Sequence, residues 1–461
     1  MVKTRNLADY AVNLKYEDLP DEVIEQAKLL VLHTLGAALA GCSTEQGKRA
    51  MELAKAMGGQ KDESTILGYG GKAPCVQAGF VNATLADMLD WEDCSWTGHP
   101  SAGAIPAALA VGERVKSSGK EIICSIVAGY ELYERIAMAM QPSREYDYRN
   151  RGWGLTSWNI YASAIPAARL LKLDSDRMEN VIGIAGALTH IATPRVQATK
   201  TDLCKYRYGT NCMNGITAAL IAESGISPMH NFLDGEMAGY WVAFSDKCDS
   251  EWYNRNLGEE YLIMETYFKH WPTNMWINQH LDGIDIIMRE HGVGPEDVEE
   301  IIVRPPVDRR MGFKPEGYES IMDAEYSIPY CISVLMHEPE PGPNWYTAER
   351  MKDPKILDFA SRVKAEGSPL TLVDAFIQFR EGRYPEVSVE VKTKDGRVLN
   401  QDVPFPTGHP NNRMTVEEFE ARFRRAASFT IGQDKIEKAV DKIMNLEKVE
   451  DVSQIADLMY E

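Results

Sequence analysis

The sequence has little positive charge for its size. Its 49 lysines and arginines stand against 68 aspartates and glutamates, which gives a formal net charge of −19. Nucleic-acid-binding surfaces need an excess of basic side chains, so the composition argues against nucleic acid as a partner. No apolar run reaches the ~20 residues of a membrane-spanning helix, and the N-terminus has no apolar core of a signal peptide. We therefore expect no membrane association and a cytoplasmic location.

Closely spaced cysteines are also missing. The eight cysteines are scattered along the chain, and no two of them form a CxxC pair. Zinc sites and dithiol redox motifs need such spacing. No GxGxxG motif follows a predicted strand, as it does in dinucleotide-binding folds. We therefore expect neither a bound metal nor an organic cofactor.

What the sequence does contain is a long series of helical patterns. In the first half they predict helices over 21–41, 46–57, 76–90, 102–117, 120–140, 157–172, 176–191 and 213–224. After about residue 265 the pattern becomes mixed. It predicts helices over 275–291, 325–337 and 370–379, a strand over 298–306, and a hairpin around Lys394-Asp395-Gly396. A Thr-x-x-Glu capping box at Thr415 then begins the last helices, followed by 434–444 and 452–459.

These patterns predict a mainly α fold. A chain of 461 residues exceeds what one hydrophobic core usually supports. We expect a large all-helical domain over 1–265 and a smaller α/β domain over 266–403. The C-terminal helices over 404–461 would rejoin the helical domain.

One stretch concentrates ionisable groups between two predicted helices. Asp90, Glu92 and Asp93 are followed by the turn Gly98-His99-Pro100. Charges near a core must be paired or neutralised, so this turn is a candidate site. Two other interpretations are acids that simply face water and a metal site, for which the turn offers few oxygen ligands.

The motifs around this turn resemble those of the MmgE/PrpD family. The segment VNATLADMLDWEDCSWTGHPSAGAIPAALAVGE is similar to the central motif of that family. Further segments resemble other family motifs and occur in the same order as in the family, along nearly the whole chain. They are LADYAVNLKYEDLPDEVIEQAKLLVLHTLGAALAG, FKHWP, AEYSIPY, VKTKDGR and GHPNN. The resemblance implies a helical domain with a smaller α/β lid, a homodimer, and cofactor-free chemistry on a small carboxylate substrate.

The resemblance also implies roles for individual residues. His99 would be the general base or acid, and Asp90 and Asp93 would orient it or exchange protons with it. Lys205, with Lys200 as the alternative, and Arg207 would hold substrate carboxylates. On the lid side, Lys269 and Asn278 would bind substrate, and Tyr330 would donate a proton to a leaving hydroxyl.

Three positions depart from the family pattern. Asp87, Gly154 and Asn278 stand where relatives often carry histidine, which points to a different substrate from those of the named enzymes. The first hypothesis is a lyase that dehydrates a small hydroxy di- or tricarboxylate such as 2-methylcitrate. The alternatives are an epimerase or isomerase, a decarboxylase of the cis-aconitate type, and a non-catalytic dimeric scaffold.

Overall fold

The fold is seen in a computed structural model. It describes residues 3–461 apart from 58, 60, 96, 141–152, 191–197, 228, 235–239, 246, 308, 372–373, 376, 379–380 and 382. The helices before residue 245 are Lys3–Asn13, Asp21–Cys42, Glu45–Met57, Cys75–Ala86, Ser101–Val115, Gly119–Ala139, Ile160–Leu170, Ser175–Ala187, Arg207–Glu223 and Tyr240–Phe244. They pack around one hydrophobic cluster, the first core.

The helix Asp21–Cys42 lies in the first core. It begins directly after Pro20 and carries Asp21 and Glu22 in its first turn, where carboxylates stabilise the helix dipole. It is long and apolar enough to cross a membrane. However, 89 % of its most apolar window is buried inside the protein, which is the burial of a core helix.

A second hydrophobic cluster, the second core, contains a four-stranded sheet. Val363–Ala365 pairs in parallel with Val298–Arg304, and the antiparallel strands Val387–Thr393 and Val398–Val403 follow. Buried and half-exposed residues alternate along Val387–Thr393, as the hairpin pattern predicted. The helices Met275–His291, Ile321–Glu325, Ile328–His337 and Pro354–Ala360 belong to this part of the chain.

The C-terminal helices are Val416–Ala427, Gln433–Met444 and Ser453–Ala456. The capping box at Thr415 is confirmed: its side chain accepts from the backbone of Glu418, whose carboxylate accepts from the backbone of Thr415. Phe419 and Phe423 enter the first core, and Phe423 packs beside Gly36 of the helix Asp21–Cys42.

The mainly α fold with a smaller α/β part is confirmed, but several element boundaries differ. The helical part is not purely helical, because Ser64–Thr65 pairs with Lys72–Ala73 and Asp93–Cys94 pairs with Tyr267–Phe268. The helix predicted over 325–337 is broken after Glu325, because Ser327 caps a new helix that has Pro329 in its first turn. The helix predicted over 370–379 lies partly outside the described residues.

Two further boundary differences affect the site. The helix predicted over 76–90 ends at Ala86, which leaves the acids on a turn. The helix predicted from Met213 already begins at Arg207. It packs tightly on the helix Cys75–Ala86, because a Cβ on Gly209 would lie 2.0 Å from Thr84 Oγ1 and 2.6 Å from the Phe80 carbonyl oxygen. Glycine therefore sets the distance between the two helices.

Candidate active site

The acidic turn, residues 87–100, links the helices Cys75–Ala86 and Ser101–Val115. Asp90 has a φ of 49°, a left-handed conformation that only a few per cent of non-glycine residues adopt. Backbone in such conformations persists where the surroundings over-determine it, which is frequent at functional sites. After Asp90 the chain forms the short strand Asp93–Cys94 and returns through a bridge between Ser95 and Gly98.

The acidic turn forms one wall of a small, partly enclosed pocket. The basic segment, residues 200–207, forms a second wall, and the end of the helix Ile321–Glu325 forms a third. The pocket is lined by Asp87, Asp90, His99, Thr156, Cys204, Lys205, Arg207, Tyr208, Met322, Glu325 and Tyr326. Tyr208 belongs to the first core, and Cys204, Met322 and Tyr326 form a small separate hydrophobic cluster at the pocket.

His99 is held in a fixed orientation at this pocket. Its Nδ1 lies 2.6 Å from Glu92 Oε1 and 3.0 Å from the Asp93 carbonyl oxygen. The Asn159 amide donates to the His99 carbonyl oxygen at 2.9 Å, and the Tyr208 ring meets the imidazole edge-on. A proton on Nδ1 satisfies these acceptors and leaves Nε2 as the basic nitrogen. A histidine oriented by a carboxylate in this way is equipped for proton transfer.

A buried lysine compensates the acids behind the histidine. Lys269 is fully buried and donates to the Asp90 carboxylate, to the Asp90 carbonyl oxygen at 2.8 Å, and to Glu92 Oε1 at 3.0 Å. Burial alone would raise the pKa of Glu92, but Lys269 and His99 hold it well below its usual range. Burial would likewise lower the pKa of Lys269, but Asp90 and Glu92 raise it. Glu92 and Lys269 are therefore both charged at neutral pH.

Lys205 and Glu325 form an ion pair across the pocket. The Lys205 ammonium lies 2.5 Å from Glu325 Oε1 and donates to the Asp87 carbonyl oxygen at 3.2 Å. Burial opposes the charge on Lys205, but the neighbouring carboxylates raise its pKa. Burial also raises the pKa of Glu325, to about 8, although Lys205 acts in the opposite direction. Lys205 therefore brings a positive charge to the pocket wall, and it donates a hydrogen bond to Glu325, whose raised pKa favours the protonated form near neutral pH.

Arg207 is the cation best placed to receive a ligand. Its Nε donates to the Cys204 carbonyl oxygen at 2.9 Å, which orients the guanidinium. Within the described part of the chain, Arg207 forms no ion pair with a carboxylate. An arginine fork without a partner suits bidentate binding of a carboxylate.

Of the predicted site residues, Asp90, His99, Lys205 and Arg207 line the pocket. Asp93 does not line it. Its carboxylate accepts from the Ser101 backbone at 3.1 Å and from the Tyr130 hydroxyl at 2.5 Å, at the start of the helix Ser101–Val115. Burial raises the pKa of Asp93 to about 6, against the hydrogen bonds from Ser101 and Tyr130. The proton exchange with His99 that the sequence suggested for Asp93 stays a prediction.

Four other predicted residues also lie away from the pocket surface. Lys269 is buried and contacts Asp90, and the half-buried Lys200 lies 3.5 Å from Asp323. Asn278 is buried, where its side chain accepts from the Trp271 backbone and donates to Thr273. Tyr330 is buried in the second core and donates to the Trp345 carbonyl oxygen. These four residues lie away from the pocket for the same physical reason, because the polar side-chain atoms of each already have a partner where they are packed.

The three positions where relatives often carry histidine lie in different places relative to the pocket. Asp87 lines the pocket, and burial raises its pKa well above the usual range. Gly154 and Asn278 are not among the lining residues. The loss of an imidazole therefore changes the pocket wall directly only at Asp87.

Sequence reasoning gave Glu92 no role of its own within the candidate turn, and it missed Glu325 and Tyr326 as site residues. Tyr326 lies in the break between two helices, with the Arg310 guanidinium 4.2 Å above its ring. The signal was present in AEYSIPY, because a serine before Ile-Pro marks a helix start. The residues just before Ser327 were therefore on a turn, and turns at helix ends are frequent places for functional side chains.

The same turn has a geometry that a metal could use. Ligand atoms of Asp90, Glu92 and His99 lie within 4.8 Å of one another. However, the Lys269 ammonium already contacts both carboxylates. A divalent cation would meet a buried positive charge there, which costs free energy unless it is compensated. The residues therefore fit a metal poorly, and its absence stays a prediction.

Comparison with known proteins connects this site to a family. The model of the MmgE/PrpD N-terminal domain matches residues 5–252, and that of the MmgE/PrpD C-terminal domain matches residues 271–446. Cis-aconitate decarboxylase of Homo sapiens is 24% identical over 472 residues, covering 99% of this chain and 94% of that enzyme. Cis-aconitate decarboxylase of Aspergillus terreus is 21% identical over 484 residues, covering 99% and 95%. The chain is therefore a member of the MmgE/PrpD family.

Proposed function

We propose that the protein is a cofactor-independent lyase that removes a proton next to the carboxylate of a small hydroxy acid and expels water. The observation that carries this proposal is the presence of two particular groups in one pocket. His99 is held by Glu92 with Nε2 available as a base, and Arg207 stands without a carboxylate partner among the described residues. Base and carboxylate holder are the two groups that such a reaction requires.

The proposed reaction uses the pocket residues as follows. Arg207 binds the substrate carboxylate, and His99 Nε2 takes the proton from the adjacent carbon. The electron pair delocalises onto the carboxylate, where Arg207 and Lys205 stabilise the added negative charge. The double bond then forms as the hydroxyl leaves from the next carbon with a proton from Tyr326. Tyr326 takes the acid role that was predicted for Tyr330, because Tyr326 lines the pocket.

A second candidate reaction is decarboxylation. Two observations favour it: the full-length similarity to enzymes named cis-aconitate decarboxylase, and the presence of a proton-transfer group in the pocket. Here carbon dioxide would leave from a carboxylate, and His99 would return a proton to carbon. Epimerisation would need only the return of the proton to the same carbon. A non-catalytic scaffold would have no use for a base oriented by Glu92.

One set of incubations tests these alternatives. The protein is mixed in D₂O with 3-hydroxybutyrate, malate, citrate, 2-methylcitrate and cis-aconitate, and alkene absorbance, carbon dioxide release and deuterium incorporation are followed. We expect turnover of at least one hydroxy acid, and a loss of about 10²–10⁴-fold in His99→Asn, the usual contribution of general base catalysis.

The matched control is His291→Asn, which changes an exposed histidine at a remote helix end. It should leave the rate unchanged. If no acid shows absorbance change, gas release or deuterium incorporation, the protein is not a lyase of this kind. If turnover persists in His99→Asn, the base has been assigned to the wrong residue.

A further inference from the structure

Glu325 brings an oxygen without a partner to the pocket. It is the last residue of the helix Ile321–Glu325, is 1% exposed, and lines the pocket. Its Oε1 accepts a hydrogen bond from the Lys205 ammonium at 2.5 Å. Its Oε2 is buried and has no hydrogen-bond partner among the residues that the structure describes. Buried polar atoms without a partner cost free energy, so Oε2 marks a position that a bound molecule would complete.

The surroundings of this carboxyl group favour its neutral form. Burial raises the pKa of Glu325 to about 8, against the positive charge of Lys205. The negative charge of Asp90 acts in the same direction as burial, and Lys269 acts in the same direction as Lys205. Glu325 therefore carries a proton at neutral pH and loses it as the pH rises through about 8. The other ionisable side chains that interact with Glu325 in the described part of the chain are kept uncharged at neutral pH by burial, and they are Cys204, Tyr326, Cys331 and Tyr346.

A neutral Glu325 presents a hydrogen-bond donor to the pocket. Because Oε1 accepts from Lys205, the proton belongs on Oε2, which then donates. Such a donor binds most strongly to an ionised oxygen. The neutral carboxyl group also leaves the charge of Lys205 uncompensated by Glu325, so Lys205 and Arg207 both bring positive charge to the pocket wall. The acceptor that fits Oε2 best is therefore a carboxylate oxygen.

We infer that Glu325 binds substrate as a neutral acid, with Oε2 donating a hydrogen bond to the second carboxylate of a hydroxy acid whose first carboxylate is bound by Arg207. This inference rests on the proposed function, because it concerns the substrate of the same pocket. The protein must then hold a proton on Glu325 before the dicarboxylate arrives, and affinity falls as that proton is lost. A glutamine at this position would keep an acceptor for Lys205 and a donor for the substrate, but it would not titrate.

Binding measurements test the inference without requiring turnover. Isothermal titration measures the affinities for malate and 3-hydroxybutyrate, which carry two carboxylates and one, at about pH 6.5 and about pH 9, where these carboxylates stay ionised. Wild type should bind malate about tenfold more weakly at the higher pH, because an affinity that requires one proton falls about tenfold per pH unit above the pKa. The affinity for 3-hydroxybutyrate, which has no second carboxylate for Glu325, should change by less than about threefold. In Glu325→Gln the affinity for malate should likewise change by less than about threefold between the two pH values.

The matched control is Glu296→Gln, which changes an exposed glutamate that does not line the pocket and should reproduce the pH dependence of wild type. The inference is overturned if wild type does not bind malate, if its affinity for malate is the same at both pH values, or if 3-hydroxybutyrate shows an equal fall. It is also overturned if Glu325→Gln keeps the fall for malate. The incubations in D₂O test the proposed function separately. Binding of malate that depends on Glu325, without any turnover that depends on His99, would contradict the lyase and support the role of Glu325 in binding.

Discussion

At the scale of single residues, the site depends on contacts between distant parts of the chain. Glu92 Oε1 contacts both the His99 ring and the ammonium of Lys269, which is 177 residues away in sequence. Because the positive charge of Lys269 compensates Asp90 and Glu92 together, the His99 imidazole is not next to two uncompensated carboxylates. Such a pair would stabilise the protonated ring and remove the base.

Replacing Lys269 should therefore reduce stability strongly. In Lys269→Met, Asp90 and Glu92 would remain buried without their cation, and breaking a buried ion pair on one side typically costs about 3–5 kcal/mol. Urea unfolding measures the loss. Lys438→Met, which removes an exposed lysine paired within its own helix, should change stability by less than about 1 kcal/mol. Equal effects of the two substitutions would show that Lys269 does not compensate the acids.

Glu134 is a buried carboxyl that the proposed reaction does not use. Its Oε2 accepts from Thr97 Oγ1 at 2.7 Å, and burial raises its pKa to about 8. An unfolded glutamate has a pKa of about 4.3. Between these two values folding takes up a proton, so this group's contribution to stability is complete below about pH 4 and is lost as the pH rises through 8.

Glu134→Gln should remove this pH dependence. The stability of the variant relative to wild type should rise from pH 5 to pH 8, by at most about 1.4 kcal/mol per pH unit. Urea unfolding of both proteins at four pH values in this range measures the difference. A constant difference across the range would mean that Glu134 is ionised in the folded protein.

At the scale of elements, the start of one helix and one close helix contact decide where the pocket groups lie. The helix Arg207–Glu223 begins six residues earlier than its sequence pattern predicted, and this places Arg207 on an ordered first turn. The close approach at Gly209 then fixes that turn against the helix that leads into the acidic turn. Arg207 and His99 are thereby positioned relative to each other by packed helices.

Adding a methyl group at this contact should disturb both stability and binding. In Gly209→Ala the new Cβ would clash with Thr84 and with the Phe80 backbone, which cannot move aside easily. We expect a loss of about 1–3 kcal/mol in urea unfolding and weaker binding of the acid that wild type binds best. In the control Gly432→Ala the nearest atom to the new Cβ lies 3.7 Å away, so both quantities should stay near wild type. An unchanged affinity in Gly209→Ala would show that the helix contact at Gly209 does not determine the position of Arg207.

At the scale of the whole molecule, the sequence predicted the helical part and the hairpin well. Periodicity located the helices Asp21–Cys42 and Met275–His291 within a residue at each end, because one face of each is buried throughout. Two-residue strands such as Asp93–Cys94 were not predicted, since they are created by tertiary pairing. The partners of Lys269 and Tyr330 could not be predicted either, because they depend on which side of a buried segment faces the pocket.

The expected homodimer concerns the whole molecule as well and rests on the family resemblance. Sedimentation velocity at micromolar concentration should give one species with twice the mass of a single chain. A monomer over the full concentration range would contradict the expectation. Arg207, His99 and Asp87 line one pocket within a single chain.

The short pairing of Asp93–Cys94 with Tyr267–Phe268 has a consequence for the timing of the reaction. It joins the strand beside His99 to the segment that leads into the second core. A swing of the second core away from the pocket would pull on this ladder and move the base as well. Under the proposed function, such a movement would open the pocket and displace His99 together. Amide hydrogen exchange should then speed up or slow down in both segments together when a ligand is removed or added.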